Sequence, residues 1–463
     1  MPLYHIWTIG CQMNKADSDR IARYLEAAGY RPSATVEHAD IIVLNSCVVR
    51  QSAEERVVNK LDALKSVKKR RDSILVTTGC LVDARADDLK RRFPHVDLFF
   101  RPQAFSELGR FLSSRRLAPE GLEPGALAPG ISTSAYVPVM HGCNNFCSYC
   151  IVPYRRGRER SRPLHEVVSE VEALVARGTR EVVLLGQKVD AYGRDLPDTP
   201  HLADLLARLS GVDGLARIRF LTSHPSDIDD RLIEAMATLS QVCEHLSLPF
   251  QAGDDGILHA MRRGYTSGQY RALVARIRRA MPDIALSTDV IVGFPGEGIE
   301  EFGRTFDLLR ELRFDTVHVA AYSSRPGTIA SRKLVDDVPM QEKLRRRAAV
   351  EELQERIALE TNQALLGHTV EVLVEGHRKG KWWGRTRGDK LVFFEDEVDC
   401  LGQLLDVTIH TAGPWSLQGC RAHRRESGAP ERLLVTAAQT TARSADRGRG
   451  ASSRVRDGHV DQR

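Results

Sequence analysis

The amino-acid sequence predicts an α/β protein in three parts: an N-terminal three-layer parallel α/β domain, a partial (β/α)6 barrel and a small C-terminal β-barrel. Two patterns carry this prediction. Short apolar runs alternate with helical stretches in the first hundred residues, and again six times over residues 135–334. Buried parallel strands joined by helical crossovers give this pattern. Beyond residue 369, short strands follow one another between Gly-rich turns, which is typical of small β-barrels.

The composition excludes several classes of protein. The chain has 463 residues, 42% hydrophobic and 27% charged, so it is not disordered throughout. It has no run of about 18 apolar residues that would span a membrane and no secretory signal, which predicts a cytoplasmic protein with reduced cysteines. The net charge of +5 equals the excess of Arg over acidic residues in 421–463, so the charge of the remaining chain does not indicate nucleic-acid binding.

The N-terminal domain is predicted over residues 1–112. Its short apolar strands cover 6–9, 41–44 and 74–77. An amphipathic helix is predicted over 17–28 and a charged helix over 54–69. Just past the end of each strand comes one cysteine: Cys11, Cys47 and Cys80. Because the carboxyl ends of parallel strands lie at one edge of a sheet, where ligands bind, we expect these three thiols to converge.

The rest of the chain divides by composition. Residues 113–134 are rich in Pro, Gly, Ser and Ala and are interpreted as a linker. The barrel domain is predicted over 135–365 and ends in a long charged helix over 340–363. Its strands are expected near 135–140, 181–186, 215–222, 245–249, 284–292 and 315–322. The small β-barrel is predicted over 366–422, followed by a disordered basic tail over 423–463.

The strongest local signal is the C-x3-C-x2-C motif of Cys143, Cys147 and Cys150. Three thiolates are one ligand short of a closed structural zinc site or a simple ferredoxin cluster, both of which take four. On an iron–sulfur cube, three thiolates leave one iron open to an exogenous ligand. The alternative is a zinc site completed by a distant ligand or by His141 nearby.

The residues around this motif resemble the radical S-adenosylmethionine superfamily, because the aromatic Tyr149 precedes the third cysteine. The stretch 142–162 further resembles the methylthiotransferase family, most closely the MiaB-type tRNA 2-methylthio-adenosine synthases. Other motifs of that family appear in its order at 8–14, 45–50, 79–81, 185–187, 223–225, 261–266, 287–297 and 325–328. Residues 384–388 resemble its C-terminal RNA-binding TRAM domain, so the resemblance spans nearly the whole chain.

The resemblance implies two [4Fe–4S] clusters and S-adenosylmethionine as cofactors. The radical cluster, whose open iron binds S-adenosylmethionine, matches Cys143, Cys147 and Cys150. The auxiliary cluster, which holds or delivers the sulfur, matches Cys11, Cys47 and Cys80. The alternative for the second set is three small buried residues that cap strands. The remaining thiols match no ligand and are expected to be ordinary and semi-buried: Cys243, Cys400 and Cys420.

Four residues are candidates for binding S-adenosylmethionine: Tyr149, Gln187, Asp289 and Gly293. Gln187 and Asp289 lie at predicted strand ends on the active face of the barrel. Each is expected to bind the cofactor or the target base, or else to be a polar residue that supports the site. Gly293 either allows close backbone approach to the cofactor or only forms a turn. Lys188 and Asp190 depart from the Gln-Asn-Val-Asn usual in the family, which leaves their roles open.

Two basic stretches are interpreted as RNA contacts. The arginines after the cluster loop fit phosphate binding beside an active site. The cations and indoles over 378–387 fit base stacking combined with phosphate neutralisation. The residues assigned to RNA are Arg155, Arg156, Arg158, Trp382, Trp383, Arg385 and Arg387. The alternatives are a solvated charged segment for the first stretch and packing of the indoles against the barrel domain for the second.

The resemblance implies an enzyme that adds a methylthio group to carbon 2 of N6-isopentenyl-adenosine next to the tRNA anticodon. Its expected partners are the tRNA anticodon stem-loop, an electron donor such as flavodoxin or ferredoxin, and a sulfur source. The protein is expected to be a monomer and to have no membrane partner. Within the family, the alternative substrates are threonylcarbamoyl-adenosine and a ribosomal-protein aspartate. Outside it, the alternative is a non-catalytic RNA-binding module whose cysteines bind structural zinc.

Overall fold

The computed structural model describes residues 1–47, 51–82, 86–119, 122 and 132–422. The tail predicted over 423–463 lies outside these residues, as do 120–121 and 123–131 of the predicted linker. No helix in the described part of the chain is both long enough and apolar enough to cross a membrane.

The N-terminal domain is built on five short parallel strands. The strands are β1 (Leu3–Thr8), β2 (Arg31–Pro32), β3 (Ile41–Ser46), β4 (Ile74–Gly79) and β5 (Leu98–Phe99). The helices are α1 (Gln12–Ala27), α2 (Gln51–Arg70), α3 (Ala86–Arg92) and α4 (Phe105–Ser114). The strand order is β2-β1-β3-β4-β5. The three strands predicted to precede cysteines are therefore neighbours in one sheet.

Alternate side chains of β3 face opposite layers of this domain. Ile41 and Val43 pack in the cluster that contains Leu25 of α1, whereas Ile42 and Leu44 pack in the cluster that contains residues of α2. Successive side chains of a strand point to opposite faces of the sheet, so both faces are buried under helices. The predicted three-layer arrangement is confirmed.

The middle of the chain forms the six predicted parallel strands, with a short antiparallel pair, β7 and β8, after the first. The strands are β6 (Ser134–Pro138), β7 (Met140–His141), β8 (Arg160–Ser161), β9 (Glu181–Leu185), β10 (Arg217–Leu221), β11 (His245–Ser247), β12 (Ala285–Val292) and β13 (Thr316–Ala321). The six parallel strands pair as two sheets, β10-β9-β6 and β11-β12-β13, and β7 pairs only with β8. A parallel bridge between Ile218 and Val242 links the two, which gives the predicted partial (β/α)6 barrel.

Helices follow the barrel strands and cover the sheet. They are α5 (Val152–Arg156), α6 (Leu164–Val175), α7 (Leu202–Ser210), α8 (Asp230–Thr238), α9 (Asp255–Ala260), α10 (Ser267–Ala280), α11 (Ile299–Leu312), α12 (Ile329–Lys333) and α13 (Met340–Gln363). The last is the long charged helix that the sequence predicts, and it leads into the C-terminal barrel.

The C-terminal domain is a closed barrel. Its strands are β14 (Thr369–Arg378), β15 (Lys381–Thr386), β16 (Leu391–Glu395), β17 (Leu404–Ala412) and β18 (Leu417–Arg421). They close in the order β14-β15-β16-β18-β17. Val374, Phe394 and Ile409 are among its buried core residues. The sequence pattern predicts strands over 370–374, 390–394 and 405–409, which match β14, β16 and β17, and it misses β15 and β18.

Two buried arginines of β10 hold the C-terminal barrel against the (β/α)6 barrel. Arg217 donates to the backbone carbonyl of Arg385 (2.7 Å). Arg219 donates to the backbone carbonyls of Thr386 and Arg387 (2.6 Å each). A guanidinium carries several donors in a rigid fork, so these bonds fix the end of β15 in place.

Candidate active site

A cavity of about 1480 Å³ is lined by residues of all three domains. It extends from the carboxyl ends of the parallel strands, where ligands bind in such folds, to the amino ends of β11 and β13 at His245 and Thr316. Five of the six cysteines predicted to hold clusters line it: Cys11, Cys47, Cys143, Cys147 and Cys150. We call Cys11, Cys47 and Cys80 the N-terminal trio, and Cys143, Cys147 and Cys150 the loop trio. The structure thus brings members of both trios to one space.

Two glycines allow the strand ends of the N-terminal trio to approach one another. Gly79, which precedes Cys80, has φ +97°, and a Cβ there would lie 2.1 Å from the carbonyl oxygen of Ser46. Gly10, which precedes Cys11, would place a Cβ 2.8 Å from the Cβ of Cys47. Only glycine combines this conformation with this close contact. The predicted convergence of the three cysteines therefore rests on backbone packing.

A buried pair of asparagines locks the first turn of α1 to the end of β3. Asn14 donates to the side-chain oxygen of Asn45 (2.9 Å) and to the carbonyl of Ser46 (3.0 Å), and Asn45 donates back to the carbonyl of Asn14 (2.7 Å). The thiol of Cys11 donates to the side-chain oxygen of Asn14 (3.4 Å). Sequence reasoning missed this role, although both asparagines stand in the motifs at 8–14 and 45–50.

The loop trio is held from both sides of its loop. Gly142 has φ +78°, and a Cβ there would lie 1.9 Å from the carbonyl oxygen of Arg158. Its N–H donates to the side-chain oxygen of Gln187. At the other side, the backbone N–H of Ser148 donates to the carbonyl of Met261 (3.0 Å). The loop is therefore fixed by bonds to two barrel segments.

Burial makes three of the six thiols, Cys80, Cys143 and Cys150, hard to ionise without a metal. Burial raises the pKa of Cys150 to about 12, with Cys147 adding to the rise. Burial also raises the pKa of Cys143 and of Cys80. Cluster ligation requires thiolates, so binding must displace these protons.

In each trio, one cysteine sulfur accepts a hydrogen bond from a buried arginine, and a different arginine serves each trio. Arg263 donates to Cys147 (3.5 Å), and Arg156 donates to Cys80 (3.3 Å). Each guanidinium thus places positive charge beside a predicted cluster ligand, where it offsets the charge of a thiolate. The donor set fits iron–sulfur cubes: two groups of three thiols, each with a cationic neighbour.

The spacing of the trios does not suit a single metal ion. Among the residues that the structure describes, no three His, Cys, Asp or Glu side chains lie close enough together to bind one ion. The ligands of a zinc ion all lie about 2.0–2.3 Å from it, whereas each thiolate of a cube binds a different iron. This geometry gives no support to the zinc alternative.

The other three cysteines are not semi-buried, so that expectation is wrong. Cys243 and Cys400 are fully buried, and Cys420 is exposed. Cys400 belongs to the apolar core of the C-terminal barrel, and Cys243 lies at the bridge that links the two barrel sheets. None of them lines the cavity.

Three of the four residues predicted to bind S-adenosylmethionine line the cavity: Tyr149, Gln187 and Asp289. Gly293 does not. It has φ +70°, and a Cβ there would lie 2.3 Å from the Cγ of Lys343 on α13. Its N–H donates to Glu297 (2.8 Å). The glycine therefore forms a turn packed against a helix, and its close approach to the cofactor stays a prediction.

The two departures from the family motif form a buried polar cluster behind the loop trio. Lys188 lies 3.3 Å from both Glu159 and Asp227, and it donates to the side chain of Asn145 in the cluster loop (3.1 Å). Asp190 is fully buried, and burial raises its pKa to about 8. Lys188 thus supports the loop of Cys143, and the partners Glu159 and Asp227 were not singled out from the sequence.

The arginines predicted to bind RNA after the cluster loop have different environments. Arg158 is exposed, with its guanidinium carbon 4.8 Å from the ring centroid of Phe146. Arg155 is half-buried. Arg156 is buried, and its guanidinium bonds to Cys80 and Asp17. It is therefore not placed to meet a phosphate at the surface, since its side chain is buried against Cys80 and Asp17.

The C-terminal residues predicted to bind RNA are also partly engaged. Arg387 pairs with Glu244 (2.7 Å) at the domain contact, and Arg385 lines the cavity. Trp382 and Trp383 are half-buried, and Trp382 packs against the core of its own barrel. RNA contact by these residues stays a prediction. Sequence reasoning missed Trp415, which lines the cavity and is 61% exposed.

Three family models match successive parts of the chain. They are the Uncharacterized protein family UPF0004 over residues 3–101, the Radical SAM superfamily over residues 137–309 and the TRAM domain over residues 363–420. The first contains the N-terminal trio and the second contains the loop trio. Each trio thus lies in a separate family module.

The chain is similar to several curated proteins named tRNA-2-methylthio-N(6)-dimethylallyladenosine synthase. It is 52% identical over 420 residues to that of Dehalococcoides mccartyi strain 195, which covers 90% of this chain and 98% of the relative. It is 50% identical to that of Roseiflexus sp. strain RS-1, covering 92% and 90%. It is also 50% identical to that of Chloroflexus aurantiacus, covering 90% and 91%.

The fold is similar to that of the radical S-adenosylmethionine methyltransferase TsrM from Kitasatospora setae, solved with cobalamin and a [4Fe–4S] cluster bound. The TM-score is 0.53 at 15% identity, covering 72% of this chain and 77% of that chain. This likeness shows the fold alone, and the sequence relatives decide the family. The chain belongs to the tRNA-2-methylthio-N(6)-dimethylallyladenosine synthase family of radical S-adenosylmethionine enzymes, which use S-adenosylmethionine and two [4Fe–4S] clusters.

Proposed function

We propose that this chain adds a methylthio group to carbon 2 of N6-isopentenyl-adenosine next to the anticodon of tRNA. The observation that carries the proposal is that thiols of both trios line one cavity, beside the C-terminal barrel. The names of the relatives favour the isopentenyl substrate over threonylcarbamoyl-adenosine and over a ribosomal-protein aspartate. Their family favours an enzyme over a structural zinc module.

In this proposal each trio holds one [4Fe–4S] cluster and leaves one iron open. When bound, the clusters and S-adenosylmethionine supply the one-electron activation of a C–H bond and the sulfur and methyl groups of the product. The chain supplies binding, orientation and exclusion of water. Tyr149, Gln187 and Asp289 line the cavity around the loop trio and are the proposed contacts to S-adenosylmethionine.

Gln187 and Lys188 orient the loop trio in this proposal. Gln187 accepts the N–H of Gly142 immediately before Cys143. Lys188 donates to Asn145 within the loop. These two bonds fix the position of the cysteine loop relative to the barrel strands, so a base that enters the cavity meets a preorganised site.

The target base enters the cavity from an unpaired loop, which costs little because the base has no partner to leave. The rim offers an exposed indole, Trp415, for stacking. It offers cations at Lys60 of α2 and Arg385 of β15 for phosphates. Arg155 and Arg158, beside the cluster loop, are proposed to add phosphate contacts.

The remaining partners follow from the chemistry. Reduction of the loop-trio cluster needs a one-electron donor such as flavodoxin or ferredoxin, and regeneration of the auxiliary side needs a sulfur source. We place the reaction in the cytoplasm, where tRNA and reduced thiols coexist. The cysteines and cavity-lining side chains assigned to the reaction all lie on one chain, so we propose that it acts as a monomer.

Mass spectrometry of tRNA nucleosides from a strain lacking the gene tests the proposal. The wild-type chain should restore 2-methylthio-N6-isopentenyl-adenosine, whereas Cys150→Ala should leave only the isopentenyl nucleoside while keeping its affinity for the anticodon stem-loop. Cys420→Ala is the matched control, because this cysteine is exposed and does not line the cavity. Unchanged 2-methylthio-N6-isopentenyl-adenosine in the deletion strain would contradict the substrate assignment.

A further inference from the structure

Arg156 follows the loop trio in the chain, and its side chain contacts the N-terminal trio. It ends α5, the short helix that follows Cys150. Its side chain leaves the (β/α)6 barrel and enters the N-terminal domain, where Nε donates to the sulfur of Cys80 (3.3 Å) and Nη2 donates to Asp17 (3.2 Å). Its backbone carbonyl accepts from the side chain of Gln103 (3.1 Å). One residue of the barrel domain thus contacts the N-terminal domain at three points.

The guanidinium of Arg156 divides its N–H donors between a carboxylate and a sulfur, which indicates more than a structural ion pair. Arg156 is only 6% exposed, so its charge must be offset. An arginine that serves only to pair with a carboxylate favours two parallel N–H···O bonds. Here Asp17 takes one donor and the sulfur of Cys80 takes the other. The guanidinium therefore acts on the sulfur directly.

We propose that Arg156 is a positioning residue for the auxiliary cluster, and that its hydrogen bond to the sulfur of Cys80 raises the reduction potential of that cluster. The proposal rests on the assignment of Cys80 as a ligand. Positive charge and a donated N–H both stabilise the more electron-rich, reduced state of an iron–sulfur cluster. Asp17 opposes this effect, because its negative charge offsets the guanidinium.

Substitutions at Arg156 and at Asp17 should therefore shift the midpoint potential of the auxiliary cluster in opposite directions. Loss of the charge in Arg156→Gln should shift the midpoint potential to more negative values. Loss of the countercharge in Asp17→Asn should shift it to more positive values. Arg156→Lys keeps the charge but not the planar fork, so it should give a smaller negative shift. A residue that only packed the two domains together would not give shifts of opposite sign.

The test uses the full-length chain with Cys143, Cys147 and Cys150 replaced by alanine, so that only the auxiliary cluster remains. Anaerobic reconstitution and an EPR-monitored redox titration give the midpoint potential of each variant in this background. Arg110→Gln is the control for charge loss, since Arg110 is exposed on α4 and is expected to leave the potential unchanged. Iron content is measured in parallel for every variant.

The expected result is a negative shift for Arg156→Gln and a positive shift for Asp17→Asn, at equal iron content. No shift in Arg156→Gln, or shifts of the same sign in both variants, would overturn the proposal. Equal loss of iron from Arg156→Gln, Arg156→Lys and Asp17→Asn would also overturn it, in favour of a purely structural contact. Absence of iron from the background chain itself would overturn the cluster assignment as well, whereas bound iron with an unmoved potential would overturn only the role of Arg156.

Discussion

The two cysteine trios reach the same cavity by opposite routes. The loop trio lies within a single loop, whose shape is held by Gly142, Gln187 and Ser148. The N-terminal trio comes from three strand ends, each separated from the next by a full strand-and-helix unit. The first site is therefore a property of local chain geometry, and the second is a property of the sheet.

This difference predicts different vulnerabilities. A change in sheet packing that touches no cysteine should empty the N-terminal trio and spare the loop trio. A change in the polar residues behind the cluster loop should instead empty the loop trio and spare the N-terminal trio. Iron content per chain counts the clusters, because each holds four irons, and the same change made in a chain whose loop trio is replaced by alanine shows which site it empties.

The largest effect is expected from Gly79→Ala. A Cβ at this position would lie 2.1 Å from the carbonyl oxygen of Ser46, and φ is +97°. The left-handed conformation costs an alanine about 1–2 kcal/mol, and the overpacking adds about 1–3 kcal/mol. Iron analysis after anaerobic reconstitution should fall from about eight to about four per chain.

Gly29→Ala is the matched control for this prediction. Gly29 also has positive φ (+91°), but nothing lies within 4 Å of a Cβ built there. It should lose only the conformational part of the stability and keep full iron. Equal iron loss from both variants would show that strain, and not the contact between the ends of β3 and β4, empties the site.

A smaller effect is expected from Asn14→Ala, which removes the buried bond between α1 and β3. The side-chain oxygen of Asn45 loses its donor, and an unsatisfied buried polar group costs about 1–3 kcal/mol, whereas the carbonyl of Ser46 keeps the N–H of Cys80. Urea unfolding should show a loss of about 2 kcal/mol, together with weaker iron retention at the N-terminal trio. Ser66→Ala, which removes an exposed hydrogen bond on α2, should change stability by less than about 0.5 kcal/mol.

The smallest effect concerns pH and the polar cluster behind the loop trio. Burial raises the pKa of Asp190 to about 8. Between pH 7 and pH 8 the folded chain holds a proton on this carboxyl that the unfolded chain has released, so stability falls as pH rises. Over that interval the wild-type chain should lose about 1 kcal/mol relative to Asp190→Asn, which does not titrate.

Urea unfolding at pH 7 and pH 8 measures this difference. The neighbouring His224 does not cancel it, because burial lowers the pKa of that imidazole to about 3 and leaves it neutral in the folded chain over this interval. Its unfolded counterpart is also largely neutral there. Parallel pH dependence of the two chains would contradict the buried, protonated carboxyl.

Much of the fold was predictable, because its strands are buried and therefore apolar. All six barrel strands and helix α13 lie where the hydrophobic pattern predicts them. The pattern missed β2 and β5, which have two residues each and are too short to show a period. It missed β15 because that strand carries cations and indoles, a composition that also suits an RNA surface.

The site was predictable only where its chemistry is local or follows from strand order. Five of the six cysteines, with Gln187 and Asp289, were predicted in this way and line one cavity, and their roles stay predictions. Arg156 was assigned to RNA because an arginine run in the sequence does not show which side chain turns inward. For Gly293 the sequence leaves open a turn or a cofactor contact, and the structure shows the turn, with a positive φ of +70°.

The measurement that tests the central claim most directly is iron and Mössbauer analysis of three reconstituted chains. These are the wild type, the chain with the loop trio replaced by alanine, and the chain with the N-terminal trio replaced by alanine. Two independent trios predict about eight irons in the wild type and about four in each variant, all in [4Fe–4S] form. A variant that still holds eight irons, or a wild-type chain that holds only four, would contradict the account.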